Sequence, residues 1–173
     1  MIRKHKITVK IDMAMLDNDI RNKAYRLGRM SDIDTEDTGL LRRAMTEGVA
    51  EVVSMCGKYL WSKSHSSNNY LLDDCDVTIV LMMPMNFNLA GCASLGRMIH
   101  AYITAKVLAD WCRYFSPNNL VTQQQLQDNA RNEIRAILNS RTKVARNVNE
   151  MVIVVGKANK SDKEKQYESD KDR

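Results

Sequence analysis

Residues 95–115 (LGRMIHAYITAKVLADWCRYF) constrain the fold more than any other stretch of the chain. Met98, Ile99, Tyr102, Ile103, Ala105, Val107, Leu108, Ala109, Trp111, Tyr114 and Phe115 cover most of the circumference of a helix. A helix that is apolar on nearly all sides has to be surrounded on nearly all sides. It is therefore either the central post of the fold or a post closed over by neighbouring subunits.

The other elements follow from periodicity. Residues 7–13 (ITVKIDM) alternate apolar and polar, which predicts a strand with one wet face. Residues 16–30 read as a short helix with Ile20, Ala24 and Leu27 as its stripe. A turn rich in backbone-competing side chains follows at 31–37. Residues 38–62 form a strong amphipathic helix through Leu41, Met45, Val49, Val52, Val53, Cys56 and Leu60, with Asp37 or Thr38 as cap. Gly48 and Gly57 each weaken that helix by about 1 kcal/mol relative to Ala, a cost that close helix contact can justify.

Residues 62–69 (SKSHSSNN) are loop by composition. Residues 77–83 (VTIVLMM) predict a second strand that Pro84 ends. Its continuous apolar character fits a central position in the sheet. The long helix begins between Asn88 and Leu95 and breaks at Ser116 and Pro117. A last helix is expected over 122–141, capped by Thr122 and striped by Leu126, Ala130, Ile134, Ile137 and Leu138. Residues 151–155 (MVIVV) predict a third strand. The expected class is α+β and mainly helical: about four helices packed with a small sheet of about three strands. The three strands form one mixed sheet, or the terminal two pair with a neighbouring copy. We place one domain at 1–156 and a disordered charged tail at 157–173, which has no aliphatic residue larger than Ala.

Composition excludes little. The chain of 173 residues is 44% apolar and carries a formal charge of +5, a mild basic excess that does not itself predict nucleic-acid binding. Its 11 methionines suit adaptable packing, or simply stand in for Leu in the core. The N-terminal residues have no apolar segment of signal-peptide type, so free thiols in a reducing compartment are expected for Cys56, Cys75, Cys92 and Cys112. No stretch reads as a membrane span.

Chemical motifs are sparse. His5, His65 and His100 share no metal-ligand spacing and read as solvent or capping histidines. Asp73, Asp74 and Asp76 could hold a hard cation only with oxygen ligands from elsewhere; solvated turn carboxylates are the plainer reading. The acidic run 32–37 lacks the glycine and glutamate of a calcium loop. Neither a serine nucleophile elbow nor a phosphate loop is present. No catalytic residue, cofactor or metal is expected, and the chain reads as a non-enzyme. One basic run stands out: Arg131, Arg135, Arg141, Lys143 and Arg146, opposed within it only by Glu133. It is a solvated face, or a surface toward DNA phosphates or an interface.

The succession Pro84, Met85, Asn86 and Phe87, then the long apolar helix closing on Ala109, Asp110, Trp111, Cys112, Arg113, Tyr114 and Phe115, then a Ser-Pro break and a helix ending in arginines, covers roughly residues 77–146. It resembles small virion proteins of tailed bacteriophages and prophages, of the head–tail connector, neck or tail-completion kind. The resemblance implies a homo-oligomeric ring in the virion, assembled in the host cytoplasm. It also implies portal, connector or tail proteins as neighbours, and arginines facing a lumen of packaged DNA without reading sequence. The alternative function is a nucleic-acid-binding accessory protein using the basic run of the last helix.

Overall fold

The computed structural model describes residues 4–27, 38–61, 76–143 and 150–155. Strand β1 (Lys4–Ile11) places His5, Ile7, Val9 and Ile11 on one face, all fully buried. Asp12 alone connects it to helix α1 (Met13–Arg26). Its Oδ1 accepts from the Met15 N–H at 2.9 Å, satisfying a donor the first helical turn leaves open. Met13, expected to extend the strand, is the first residue of this helix. Leu16, Ile20 and Ala24 are its buried stripe.

Helix α2 (Thr38–Cys56) tightens into a 3-10 turn at Gly57–Tyr59, where an uninterrupted helix to residue 62 was expected. Strand β2 (Val77–Pro84) follows. After it, Asn88 caps a second 3-10 turn, Leu89–Gly91, by accepting from the Ala90 N–H at 3.2 Å. That turn feeds helix α3 (Cys92–Phe115). Helix α4 (Pro117–Asn139) starts five residues before the expected Thr122. Pro117 is its first residue, a position where the missing N–H costs nothing, so the Ser-Pro break ends one helix and opens the next. Strand β3 (Glu150–Val155) completes the sheet.

The sheet order is β2-β1-β3. β1 runs antiparallel to β2, with Val9 opposite Ile79, and parallel to β3, with Val9 opposite Ile153. The terminal strands thus pair within one chain. The polar-alternating β1, not the more apolar β2, holds the centre, which corrects the expectation from hydrophobicity. Beyond β2, Leu60 and Trp61 add further pairing, through a bridge to Leu81 and a bond from the Trp61 N–H to Val80 O. The opposite sheet face stays open enough for Lys10 and Thr78 to be exposed, and it leaves Val152 and Val154 about half bare.

α3 is the central post. α1, α2, α4 and β3 all pack on it. Leu95, Ile99, Tyr102 and Ile103 are fully buried, each contributing about 1.5–3 kcal/mol relative to exposure. Two glycines set the closest approaches. A Cβ on Gly48 of α2 would stand 3.0 Å from Ile103 Cγ2, and one on Gly96 would stand 2.6 Å from Ile153 Cγ2. Gly57, by contrast, has open space around it. Among the described residues no helix is long and apolar enough to cross a membrane. The tail at 157–173 lies outside the described residues.

Candidate interaction surfaces and a closed polar seam

Tyr102 and Lys106 of α3, Glu51 of α2, and Gln127 and Arg131 of α4 form the densest polar cluster of the described chain. Tyr102 is fully buried, and its hydroxyl donates to Glu51 Oε2. Tyr102 Oη in turn accepts from Arg131 Nη2 at 3.1 Å and Gln127 Nε2 at 3.4 Å. Lys106 Nζ lies 2.9 Å from Glu51 Oε1 and 3.8 Å from Asp110. Arg131 also meets Asp128 at 3.3 Å, and its guanidinium lies over the Tyr102 ring at 5.6 Å.

Burial alone would push the Glu51 carboxyl up. The bonds from Tyr102 and Lys106, and the charges of Lys106 and Arg131, outweigh it and hold the group below its ordinary value. Burial likewise disfavours charged Lys106, but Glu51 and Asp110 raise it. Each ion has a partner, which is the condition for keeping charges in a half-buried seam. The seam ties α2, α3 and α4 together.

A second polar tie joins distant parts of the chain. Arg141 donates to Tyr59 Oη at 2.7 Å and to the carbonyls of Leu138 and Ser140, closing the end of α4. Tyr59 Oη also donates to Asn139 Oδ1 at 3.1 Å.

The basic run read from sequence is accordingly divided. Arg131 and Arg141 point into intramolecular contacts. Arg135 and Lys143 are exposed, and Arg146 lies outside the described residues. Arg131 is countered by Asp128 and Glu51, not by Glu133. No periodic signal links Arg131 to Glu51 or Arg141 to Tyr59. Only the local Asp128–Arg131 and Lys106–Asp110 spacings were readable in the sequence.

The histidines also sort differently from expectation. His5 is not a solvent or capping residue: it continues the buried face of β1, and its Nε2 contacts Met85 O at 2.9 Å. Its place two residues before Ile7 is the signal that could have found it. His100 Nε2 lies 3.2 Å from Asp19 Oδ2 without the alignment of a hydrogen bond. Burial, then the charge of Lys23, hold His100 below its ordinary value against the opposing pull of Asp19. His65, Asp73, Asp74, Cys75 and the run 32–37 lie outside the described residues, and Asp76 is exposed.

Among the described residues no cluster of His, Cys, Asp or Glu could hold a metal ion. Cys56, Cys92 and Cys112 are buried and free. Burial pushes the Cys56 thiol up to about 12 and that of Cys92 to about 11, far from reactive thiolates.

Two grooves among the described residues stand out. The first is an apolar groove of about 250 Å³ between α1, α2 and the C-terminal end of α3. Ile20, Ala24, Leu41, Val107 and Leu108 line its depth, and Arg43, Glu47 and Asp110 its charged part. Its aromatic wall is Trp111 stacked on Phe115 at 5.5 Å, with Tyr114 edge-on to Phe115 at 6.5 Å. Tyr114 is 81% exposed, Leu40 59% and Phe115 51%. The second runs beside β3, opposite the edge that pairs with β1. Comparison with known protein families, curated proteins and solved structures finds no match to the chain.

Proposed function

We propose that this chain is a non-enzymatic structural subunit of a tailed-phage virion, built into an oligomeric ring at the head–tail junction. The observation that carries the building-block part is the aromatic end of α3. Tyr114, Phe115 and Leu40 form a contiguous bare rim around a preformed apolar groove, and large apolar side chains clustered this way are characteristic of surfaces that meet another protein. Arg43, Glu47 and Asp110 beside it give the polar surround that fixes orientation.

The closed polar seam and the high-lying thiols agree with a scaffold whose charged groups bind one another. The place in the virion rests on the resemblance of residues 77–146 to connector, neck and tail-completion proteins. Within the basic run, contact with packaged DNA in the ring lumen would fall to the exposed Arg135 and Lys143, and it would be weak and independent of sequence.

Native mass spectrometry across a concentration series, alone and with portal, connector and tail proteins of the same particle, tests the reading. A discrete ring, or incorporation between portal and tail, is the expected result. A chain that stays monomeric and joins none of them contradicts it.

A further inference from the structure

β3 is an edge strand. β1 takes one side of its backbone, and among the described residues no strand pairs with the other. That free side faces a groove of about 870 Å³ whose far wall is built from α3 and α1. Gly96 lets α3 come close to β3 along this wall: a Cβ there would stand 2.6 Å from Ile153 Cγ2. An unpaired row of amides and carbonyls beside a walled channel fits one shape of ligand, an extended chain that adds as a further strand.

The chemistry around the edge selects its side chains. The helical wall carries Lys23 and Arg97, neither in an ion pair among the described residues. Asp19, the one carboxylate of the wall, sits against His100. On the outer sheet face the exposed Val152 and Val154 extend the apolar surface to the rim. A strand alternates its side chains between the two faces, so an added one would place every second residue toward Lys23 and Arg97 and the others beside Val152 and Val154.

We propose that the free edge of β3 binds an extended partner segment in which acidic residues alternate with β-branched apolar ones. A second copy's β3 carries one acid, Glu150 at its first position, and none that alternate along the rest of the edge, because residues 151–155 read MVIVV. The chain's own 157–173 supplies no aliphatic side chain larger than Ala for the outer face. The inference concerns a different surface from the aromatic end of α3 and stands whether or not the chain belongs to a virion.

The probe is a fluorescein-labelled seven-residue peptide of alternating Glu and Val, titrated into the full chain and followed by anisotropy. Saturable binding is expected. A Lys23→Glu, Arg97→Glu double variant should weaken it at least about tenfold. Backbone N-methylation of alternate probe residues should abolish it, and amide protection over 151–155 should rise when the unmodified probe binds. Four results overturn the proposal. They are absence of binding, equal binding of the Lys/Val counterpart, indifference to N-methylation, and protection of 151–155 that rises with protein concentration alone, which would give the edge to a second copy.

Discussion

The middle and the C-terminal end of α3 are treated in opposite ways. Its middle, at Tyr102 and Lys106, is sealed by α2 and α4, and every ion there meets a partner. Its last two turns carry Trp111, Tyr114 and Phe115 out to a groove that the described residues leave uncovered. Polar chemistry is thus used inside, where it fixes how helices dock, and apolar surface is left outside, where it stabilises nothing in the isolated chain. Burying a charged network and baring an aromatic cluster on one helix is unfavourable for a lone subunit. It becomes sensible when another protein covers the aromatic end.

Substitutions separate the two regions. The largest loss is expected for Tyr102→Ala, about 4 kcal/mol in urea unfolding, because it opens a cavity and strips Glu51 and Arg131 of a shared partner. Tyr102→Phe keeps the ring and should cost about 1–2 kcal/mol. Gly96→Ala should cost roughly 1–3 kcal/mol, since its methyl meets the stiff, branched Ile153, and hydrogen exchange of residues 151–155 should accelerate. A large effect of Tyr102→Phe on association instead of stability would blur the contrast between the regions.

Acid gives a smaller effect with a defined sign. His100 has a folded pKa below its ordinary 6.5, so the folded state resists protonation and stability falls as pH drops below about 6.5. Glu51, also held low, gives stability that is present above its ordinary 4.5 and is lost as pH falls through the folded value. The two windows are distinct. His100→Gln should flatten the melting temperature just below pH 6.5 while leaving the acid limb intact. The smallest stability change belongs to Tyr114→Ser and Phe115→Ser, within about 0.5 kcal/mol for the monomer, as expected where a side chain packs little of its own fold.

The parts legible in the sequence were those written in local periodicity. The centrality of α3 followed from its apolar circumference, and Gly48 against Ile103 is the close contact its position hinted at. Strand order was not legible. β2 carries Val80 and Met82 where β1 carries Thr8 and Lys6, yet β1 is central, because pairing depends on which edges the chain topology brings together. The start of α4 was hidden by Pro117, which a helix accepts in its first position. The seam was hidden by distance along the chain: Glu51 and Tyr102 are 51 residues apart, and Tyr59 and Arg141 are 82 apart. Of the basic run, sequence gave the charges but not their directions. Arg131 and Arg141 look the same as Arg135 until their tyrosine partners are placed.

The central claim is that the aromatic end of α3 is an assembly surface. Sedimentation velocity of the wild type and of the Tyr114→Ser, Phe115→Ser double variant, over the same concentration range and with unfolding curves recorded in parallel, tests it most directly. We expect a wild type that associates and an equally stable variant whose association is weakened at least about tenfold. A wild type that sediments as a monomer throughout, or a variant that associates just as tightly, would contradict the account.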